Sequence, residues 1–287
     1  MRDSTFSPLL SFPRRRESRR ISSSFRDPSG FLFIENGILF RSVNRLYQKN
    51  YDHLINSGLY NKLVADDLLI PHREVQRPAK TTDDTYKIIQ PEIVPFISYP
   101  YEWCFSQLKD AALALIKIQK QALDCNMILK DASAYNIQFF KGKPILIDTL
   151  SFEIYKENQP WVAYRQFCQH FLAPLALMAA RDIRLGQLMR IYIDGLPLDL
   201  VSGLLPISTW FKPALLSHIH LHAKAQKRYG KSEPMGTLTP NSKRKVTKYS
   251  LIALIDHLES AITAMKWRPA GTEWSNYYKD TNYSPEA

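Results

Sequence analysis

The sequence is poor in cysteine and glycine and has no long apolar run. Its three cysteines, Cys104, Cys125 and Cys168, are odd in number and widely spaced. This pattern excludes a disulfide framework and a cysteine-based zinc site, and it suits a reducing compartment such as the cytoplasm. Ten glycines exclude a glycine-rich repeat protein. No stretch approaches 18 consecutive apolar residues, so we expect no membrane span.

The remaining composition is that of an ordinary globular protein. Hydrophobic residues make up 45% and charged residues 23% of the chain. A chain of this kind buries a substantial core without disulfides or metals. Its 287 residues correspond to one large domain or two ordinary ones.

The net charge of +11 is unevenly distributed. Residues 1–26 hold seven arginines against Asp3 and Glu17, are rich in serine, and contain few apolar residues. We predict a disordered basic tail over 1–26, although the same composition also fits an organelle transit peptide. Because basic runs usually form tails or solvated surface, we rank nucleic-acid binding last among the functions considered.

Periodicity and turn signals predict a mixture of strands and helices. Asn36-Gly37 between two apolar runs predicts a β-hairpin, and a helical pattern over 44–69 is expected to break at Gly58. Further strands are predicted at 70–75 and 86–98, and a β-hairpin at 136–147 is preceded by a strand in MIL and a loop. Helices are predicted at 106–123, 161–190, 212–229 and 248–265, and a loop at 230–243.

One set of polar residues has the spacing of a chemical site. Asp131 and Asn136 are separated by four residues in a loop that follows a long predicted helix, and Asp148 ends the hairpin that comes next. Magnesium-assisted phosphoryl transfer needs one carboxylate to orient the acceptor hydroxyl, and an Asn with a second carboxylate to hold Mg²⁺. Ordinary turn chemistry also places Asp and Asn in loops. Lys130, beside Asp131, either contacts an anionic substrate or is solvated.

The segments LKDASAYN and LIDTLSFE resemble the catalytic loop and the metal-binding segment of the protein-kinase and aminoglycoside-phosphotransferase superfamily. The segment YKIIQPEIVPFISYPYEW lies where that superfamily has its inter-lobe connection. The resemblance implies an α+β, kinase-like, two-lobed fold, with a reduced N-lobe over 27–100 and a mainly helical C-lobe over 101–265. It also implies that Asp131 is the catalytic Asp, that Asn136 and Asp148 hold Mg²⁺, and that ATP is the nucleotide.

The sequence departs from that superfamily at several positions. Leu129 replaces the catalytic-loop His, and Thr149-Leu150 follows Asp148 in place of Phe-Gly. There is no Gly-rich loop, and Arg41 is the nearest cation in the early strands. Loss of the phosphate-clamping Lys removes much of the electrostatic stabilisation of phosphoryl transfer.

A second resemblance covers most of residues 27–287. The segments DPSGFLF, NYDHLINSGLY, LIPHREV, LKDASAYN, LIDTLSFE and WSNYYKDTNYSPEA resemble the N-terminal half of bacterial S-adenosylmethionine (SAM)-dependent methyltransferases related to a nodulation protein. The resemblance implies SAM as cofactor, with 266–287 as a linker toward a methyltransferase domain. No glycine-rich turn for SAM occurs in this sequence. The sequence therefore predicts either a truncated product or a domain that works with a separate methyltransferase subunit.

These observations lead to two predicted functions. The first is a kinase-like domain that recognises a small-molecule substrate for a SAM-dependent methyltransferase. The alternative is a Mg-ATP-dependent phosphotransferase acting on a small hydroxylated substrate. In either case we place Asp131 in the catalytic position, and Lys130, Asn136 and Asp148 in the cofactor site.

Three further groups of residues complete the set of candidates. On the helix over 161–190, Arg165, Gln169 and His170 either join the site or satisfy buried polar groups. The i,i+4 pair His218 and His222 is expected to consist of partly exposed helix histidines and not of metal ligands. We expect Cys168 to belong to the core.

Overall fold

The structure, a computed structural model, describes residues 18–20, 27–76, 84–229 and 246–268. It combines strands and helices, as the sequence predicts, and forms two compact units. The first unit comprises residues up to 51 together with 71–93, and the second comprises 52–70 and the chain from 94 onward. Residues 52–70 therefore belong to the second unit, although the predicted boundary lies near residue 100. Their leucines Leu54, Leu59 and Leu63 are fully buried in the second unit's core.

The first unit contains an antiparallel sheet of five strands. The strands are β1 (Ser18–Arg20), β2 (Leu32–Glu35), β3 (Ile38–Asn44), β4 (His72–Glu74) and β5 (Thr85–Pro91), in the spatial order β1-β2-β3-β5-β4. Asn36 and Gly37 both have positive φ, 53° and 78°, which matches the twist of a two-residue hairpin turn. The predicted hairpin is confirmed.

The basic tail differs from the prediction at three residues. Ser18–Arg20 pairs with Phe33–Glu35 as β1, although residues 1–26 are predicted to be disordered. The outer edge of β2 offers backbone N–H and C=O groups that any sequence can pair with, because the ladder is made by the main chain. The rest of 1–26 lies outside the described residues, as do the predicted loop at 230–243 and most of 266–287.

Two helices follow β3, and a glycine separates them. Helix α1 spans Gln48–Asn56 and α2 spans Leu59–Ala65. Gly58 between them adopts φ 79°, a left-handed conformation that strains residues with a Cβ atom. The predicted break at Gly58 is confirmed.

We expect Gly58→Ala to lower the free energy of unfolding by about 1 kcal/mol. The loss comes from the backbone conformation alone, because a Cβ atom at this position meets no atom within 4 Å. Gly58→Asn is the matched control, since Asn tolerates the left-handed region better than Ala. Urea unfolding of the three proteins measures the difference, and equal losses for Ala and Asn would contradict this explanation.

The second unit is built around a long helix and two small sheets. Helix α3 spans Phe105–Asp124 and is followed by β6 (Met127–Leu129), β7 (Ile137–Phe140), β8 (Lys143–Leu146) and β9 (Phe152–Ile154). Strands β7 and β8 form the predicted hairpin, whose turn is Lys141-Gly142, and β6 pairs with β9. Strand β6 is the strand predicted before the loop, whereas β9 and its pairing with β6 are not predicted, because a three-residue strand is too short to show a period.

Helices complete the second unit. They are α4 (Tyr164–Phe167), α5 (Ala173–Ala180), α6 (Leu198–Leu204), α7 (Pro213–Leu215), α8 (His222–Tyr229) and α9 (Lys248–Ala264). Two π-helical segments, Cys168–Leu172 and Leu216–Leu221, connect α4 to α5 and α7 to α8. The helix predicted over 161–190 therefore ends near residue 180, and a 3-10 helix over Ile183–Arg190 follows. Among the described residues, no helix is both long and apolar enough to cross a membrane.

Candidate functional site

The candidate site lies on the loop of residues 130–136, which joins β6 to β7. Buried side chains fix its first end. The Gln119 side-chain oxygen accepts a hydrogen bond from the Leu129 N–H (2.8 Å), and the indole of Trp161 donates to the Leu129 carbonyl (2.8 Å). The Lys130 N–H then donates to the Ser151 carbonyl (2.8 Å). This holds the loop beside the segment that carries Asp148.

Side chains also accept the hydrogen bonds of four consecutive backbone N–H groups in this loop. The donor–acceptor pairs are Ala132 with Gln166 (2.6 Å), Ser133 with Asp131 (2.9 Å), Ala134 with His170 (3.4 Å) and Tyr135 with Ser133 (3.2 Å). Because every one of these amides donates to a side chain, the loop conformation is set by specific side chains and not by the backbone hydrogen bonds of a helix or sheet.

His170 is the most buried of these acceptors, with 2% of its surface exposed. Burial lowers the pKa of His170 to about 4, although the nearby Asp131 and Asp194 act in the opposite direction. The imidazole is therefore neutral at pH 7. Because Nδ1 accepts from Ala134, the ring proton lies on Nε2. His170 thus contributes an acceptor to the loop and no charge.

Asn136 and Asp148 meet at the hydroxyl of Ser151. The Asn136 amide nitrogen lies 3.5 Å from Ser151 Oγ, which donates to Asp148 Oδ2 (2.9 Å). The other carboxylate oxygen of Asp148 accepts from the Leu150 N–H (3.1 Å). The main chain brings the same residues together, since the Ile147 N–H donates to the Asn136 carbonyl (2.8 Å).

The predicted site residues therefore fall into two groups. Asn136 and Asp148 share Ser151, whereas the Asp131 carboxylate lies against the Ser133 N–H and near His170. Lys130 is half-buried at the start of the same loop. Among the described residues, no three or more His, Cys, Asp or Glu side chains gather as metal ligands.

Three tyrosines cluster at the loop, and one of them, Tyr135, is part of it. Tyr99 and Tyr101 stack with ring centres 5.5 Å apart, and Tyr135 tilts against Tyr99 at 6.4 Å. Tyr135 also packs edge-on against His170 at 6.2 Å. Burial and the nearby Asp194 raise the pKa of Tyr135, so its hydroxyl remains protonated.

Several residues of the site were missed from sequence. Gln166, Ser151 and Gly195 all contact the loop or the residues that hold it. His170 is already a candidate from sequence. Its i,i+4 spacing from Gln166, a second polar residue on an apolar helix, is the signal that could have found Gln166. Of the residues considered on this helix, Arg165 is exposed.

Among the histidines at 218–222, His222 is half-buried as expected, whereas His218 and His220 are more buried than expected. His218 and His220 are buried, because each is hydrogen-bonded to polar side chains inside the fold. The His220 ring contacts Ser202 Oγ (2.8 Å) and Thr209 Oγ1 (2.9 Å). Cys168 is fully buried, and burial raises the pKa of its thiol to about 12.

Comparison with known proteins gives one sequence relative and several hundred matching chains among solved structures. The chain is 30% identical over 268 residues to "Nodulation protein NoeA" of Rhizobium meliloti (strain 1021). The match covers 92% of this chain and 56% of the relative, so the chain spans about half of that protein's length. This confirms the predicted similarity to a nodulation protein. No family model matches the chain.

Among solved structures, the chain is similar to one titled "Structure of vaccinia related kinase 3". The two share 12% sequence identity with a TM-score of 0.36, over 94% of this chain and 87% of the other.

Proposed function

We propose that this chain is a kinase-like recognition domain that works with a SAM-dependent methyltransferase and binds a small-molecule substrate at the loop of residues 130–136. The methyltransferase link comes from the sequence resemblance alone. The similarity to the nodulation protein NoeA over 92% of the chain supports the part of that resemblance that concerns a nodulation protein.

The observation on which the binding role depends is that the backbone N–H groups of the loop are already hydrogen-bonded. Phosphate-binding loops present backbone N–H groups to the phosphate. Here the N–H groups of residues 132–135 are all occupied by side chains of the protein itself. Recognition at this loop therefore falls to the side chains of Lys130, Asp131 and Asn136.

The described residues do not fit a SAM site. Such a site needs a glycine-rich turn between a strand and a helix. Of the described glycines with positive φ, Gly37 and Gly142 turn hairpins, Gly58 separates two helices, and Gly195 packs against His170. We therefore assign methyl transfer to another domain or subunit and derive no step of it from these residues.

One observation favours the alternative, a Mg-ATP-dependent phosphotransferase. Asn136 and Asp148 converge on one hydroxyl, and both carry the oxygen atoms that Mg²⁺ prefers. These two residues would hold Mg²⁺, which would neutralise phosphate charge, while Asp131 would orient the acceptor hydroxyl. A phosphotransferase also needs a cation that clamps the phosphates. Against this alternative, two cations in the strands of the first unit are already in ion pairs, Arg41 with Asp27 (2.9 Å) and Lys87 with Glu74 (2.6 Å).

Thermal unfolding of the full chain with Mg²⁺ alone, Mg-ATP or SAM separates the two functions. For the recognition domain we expect no change in Tm with any of them. A phosphotransferase with ATP at about 100 times its Kd would gain about 2.7 kcal/mol, which corresponds to a rise of several degrees.

Two variants make this experiment specific. A rise with Mg-ATP that disappears in Asp148→Asn, and persists in the exposed control Asp124→Asn, would overturn the recognition proposal in favour of the phosphotransferase. Stabilisation by SAM alone would contradict both functions, because it would require a cofactor site in this chain.

A further inference from the structure

The positive charge of the chain is concentrated in two segments. Residues 200–250 hold nine lysines and arginines and one acidic residue, Glu233, which gives this segment a net charge of +8. Residues 1–26 add +5, so the rest of the chain has a net charge of −2 against a total of +11. Outside the N-terminal tail, the excess positive charge therefore belongs to one segment, which begins in α6 and ends in α9.

Within this segment, a 3-10 helix over Ile207–Phe211 exposes large apolar side chains to solvent. Ile207 is 80% exposed and Phe211 is 84% exposed. Single exposed apolar residues are common on protein surfaces. Here two of them lie within five residues, with the half-buried Trp210 between them, so they form a local apolar group.

A buried residue fixes the orientation of this short helix. Thr209 is fully buried, and its hydroxyl donates to the Pro206 carbonyl (2.6 Å) and lies 2.9 Å from His220 Nε2. Because Thr209 is held in the interior, the side chains on either side of it in sequence project outward. Ile207 and Phe211 are therefore exposed by an anchored segment.

Two lysines lie next to the apolar group. Lys212 directly follows Phe211 and is exposed, and the ammonium of the exposed Lys224 of α8 lies 4.5 Å from the centre of the Trp210 ring. Among the described residues, neither lysine forms an ion pair. We call this surface the Phe211 face, and it consists of Ile207, Trp210, Phe211, Lys212 and Lys224.

We propose that the Phe211 face binds the surface of a lipid bilayer that contains anionic lipids. Ile207 and Phe211 enter the boundary between the headgroups and the acyl chains, while Lys212 and Lys224 keep their charges at the level of the lipid phosphates. The excess positive charge of residues 200–250 adds attraction to the negative membrane surface. This mode of binding needs no membrane-spanning helix.

The composition of the Phe211 face favours a bilayer over two other anionic partners. Lysine is depleted in protein–protein interfaces, whereas lysine beside exposed apolar residues is typical of surfaces that bind membranes. Single-stranded nucleic acid needs aromatic rings on which bases stack. The Trp210 ring already stacks on His220, with ring centres 4.3 Å apart, and Lys224 lies over it.

Sedimentation of the full chain with lipid vesicles tests the proposal. We expect binding to vesicles of phosphatidylcholine with about 30% phosphatidylglycerol, no binding to phosphatidylcholine alone, and weaker binding as the salt concentration rises from about 0.1 M to about 0.5 M. Phe211→Ser should lower the partition coefficient about tenfold, because its ring no longer leaves water. Lys212→Gln and Lys224→Gln should each lower it about fivefold.

The basic tail of residues 1–26 is present in every variant, so it cannot account for a difference between them. The matched control is Leu46→Ser combined with Lys49→Gln, which removes a leucine that is 72% exposed and an exposed lysine from the first unit. This control should bind vesicles as the wild type does. Urea unfolding checks that each variant is folded, which we expect because the changed side chains are exposed.

Tryptophan fluorescence locates the bound surface. Brominated lipid should quench the emission of the vesicle-bound protein, because the bromine atoms lie close to a side chain at the membrane boundary. The quenching should fall in Trp210→Phe and persist in Trp267→Phe, since Trp267 lies outside the Phe211 face.

Four results would overturn the proposal. They are no binding of the wild type to anionic vesicles, equal binding to neutral vesicles, an equal loss of binding in Phe211→Ser and in the Leu46 and Lys49 control, and quenching that persists in Trp210→Phe. Binding of a single-stranded oligonucleotide that is lost in Phe211→Ser, without any vesicle binding, would assign the face to nucleic acid instead.

Discussion

Gly195→Ala should be among the most destabilising single-methyl changes in this protein, with a loss of about 3 kcal/mol in the free energy of unfolding. Two effects add. Gly195 has φ 97°, which strains any residue with a Cβ atom. An added Cβ would also lie 2.7 Å from Gln169 Cβ and 3.0 Å from His170 Cδ2, well inside carbon–carbon contact distance.

The consequence should reach the candidate site, because His170 is the acceptor for the Ala134 N–H. Relief of the clash requires the His170 ring to move, so the Ala134 amide resonance should shift in a ¹H–¹⁵N spectrum of Gly195→Ala. Gly203→Ala is the matched control. Gly203 lies in α6 with no atom within 4 Å of the added methyl, so this change should be neutral or stabilising by up to about 1 kcal/mol.

Urea unfolding of both variants measures the comparison. A loss below about 1 kcal/mol for Gly195→Ala, with an unmoved Ala134 resonance, would mean that the segment around Gly195 yields without disturbing His170. Equal losses of stability for the two variants would mean that the close approach of the added Cβ at Gly195 to its neighbours does not lower the free energy of unfolding.

The local structure of this chain follows closely from its sequence where a turn or period is long enough to be seen. Asn36-Gly37 and Lys141-Gly142 both form tight hairpin turns with positive φ, and Gly58 separates two helices. Helix α3 spans Phe105–Asp124 against a prediction of 106–123. These features depend on residues that are neighbours in sequence, so the local sequence determines them.

What the sequence could not show depends on contacts between distant residues. The pairing of β6 with β9 joins residues 127–129 to 152–154, and the three residues of β9 are too few to show a period that would reveal it. The assignment of 52–70 to the second unit depends on where its leucines are buried. Periodicity predicts that a face is buried, but not in which core.

The candidate site, too, depends partly on local sequence and partly on contacts between distant residues. The order Asp131, Asn136 and Asp148 was visible, but the roles of Ser151 and His170 depend on which loop each side chain meets. The helix position of His170 also shifts with the π-helical segment Cys168–Leu172, which no periodicity predicts. Buried polar residues such as His218 and His220 look like surface residues until their partners are known.

Those buried histidines should make the protein acid-labile well above the pH at which carboxylates titrate. The pKa values of His170 and His218 are both lowered to about 4, in each case chiefly by burial. An unfolded histidine has a pKa of about 6.5. Between pH 6.5 and 4 the unfolded state therefore binds more protons than the folded state, so stability is full above pH 6.5 and is lost as the pH falls.

The size of the effect follows from 1.36 kcal/mol per pKa unit. Each of the two histidines should cost about 2 kcal/mol of stability between pH 7.5 and pH 5, or about 4 kcal/mol together. Burial also lowers the pKa values of His72, His220 and His222, so their contributions have the same sign. Urea unfolding at pH 7.5, 6.5, 5.5 and 5 measures the slope.

His170→Asn tests the origin of that slope at the residue that holds the loop. The Asn side-chain oxygen can still accept from the Ala134 N–H, but it cannot titrate, so the loss between pH 7.5 and 5 should shrink by about 2 kcal/mol. His218→Asn should shrink it by a similar amount, and the two changes should add, since the residues share no partner among the described contacts. A slope that is unchanged in both variants would place the acid sensitivity elsewhere in the chain and would mean that these rings accept protons without unfolding the protein.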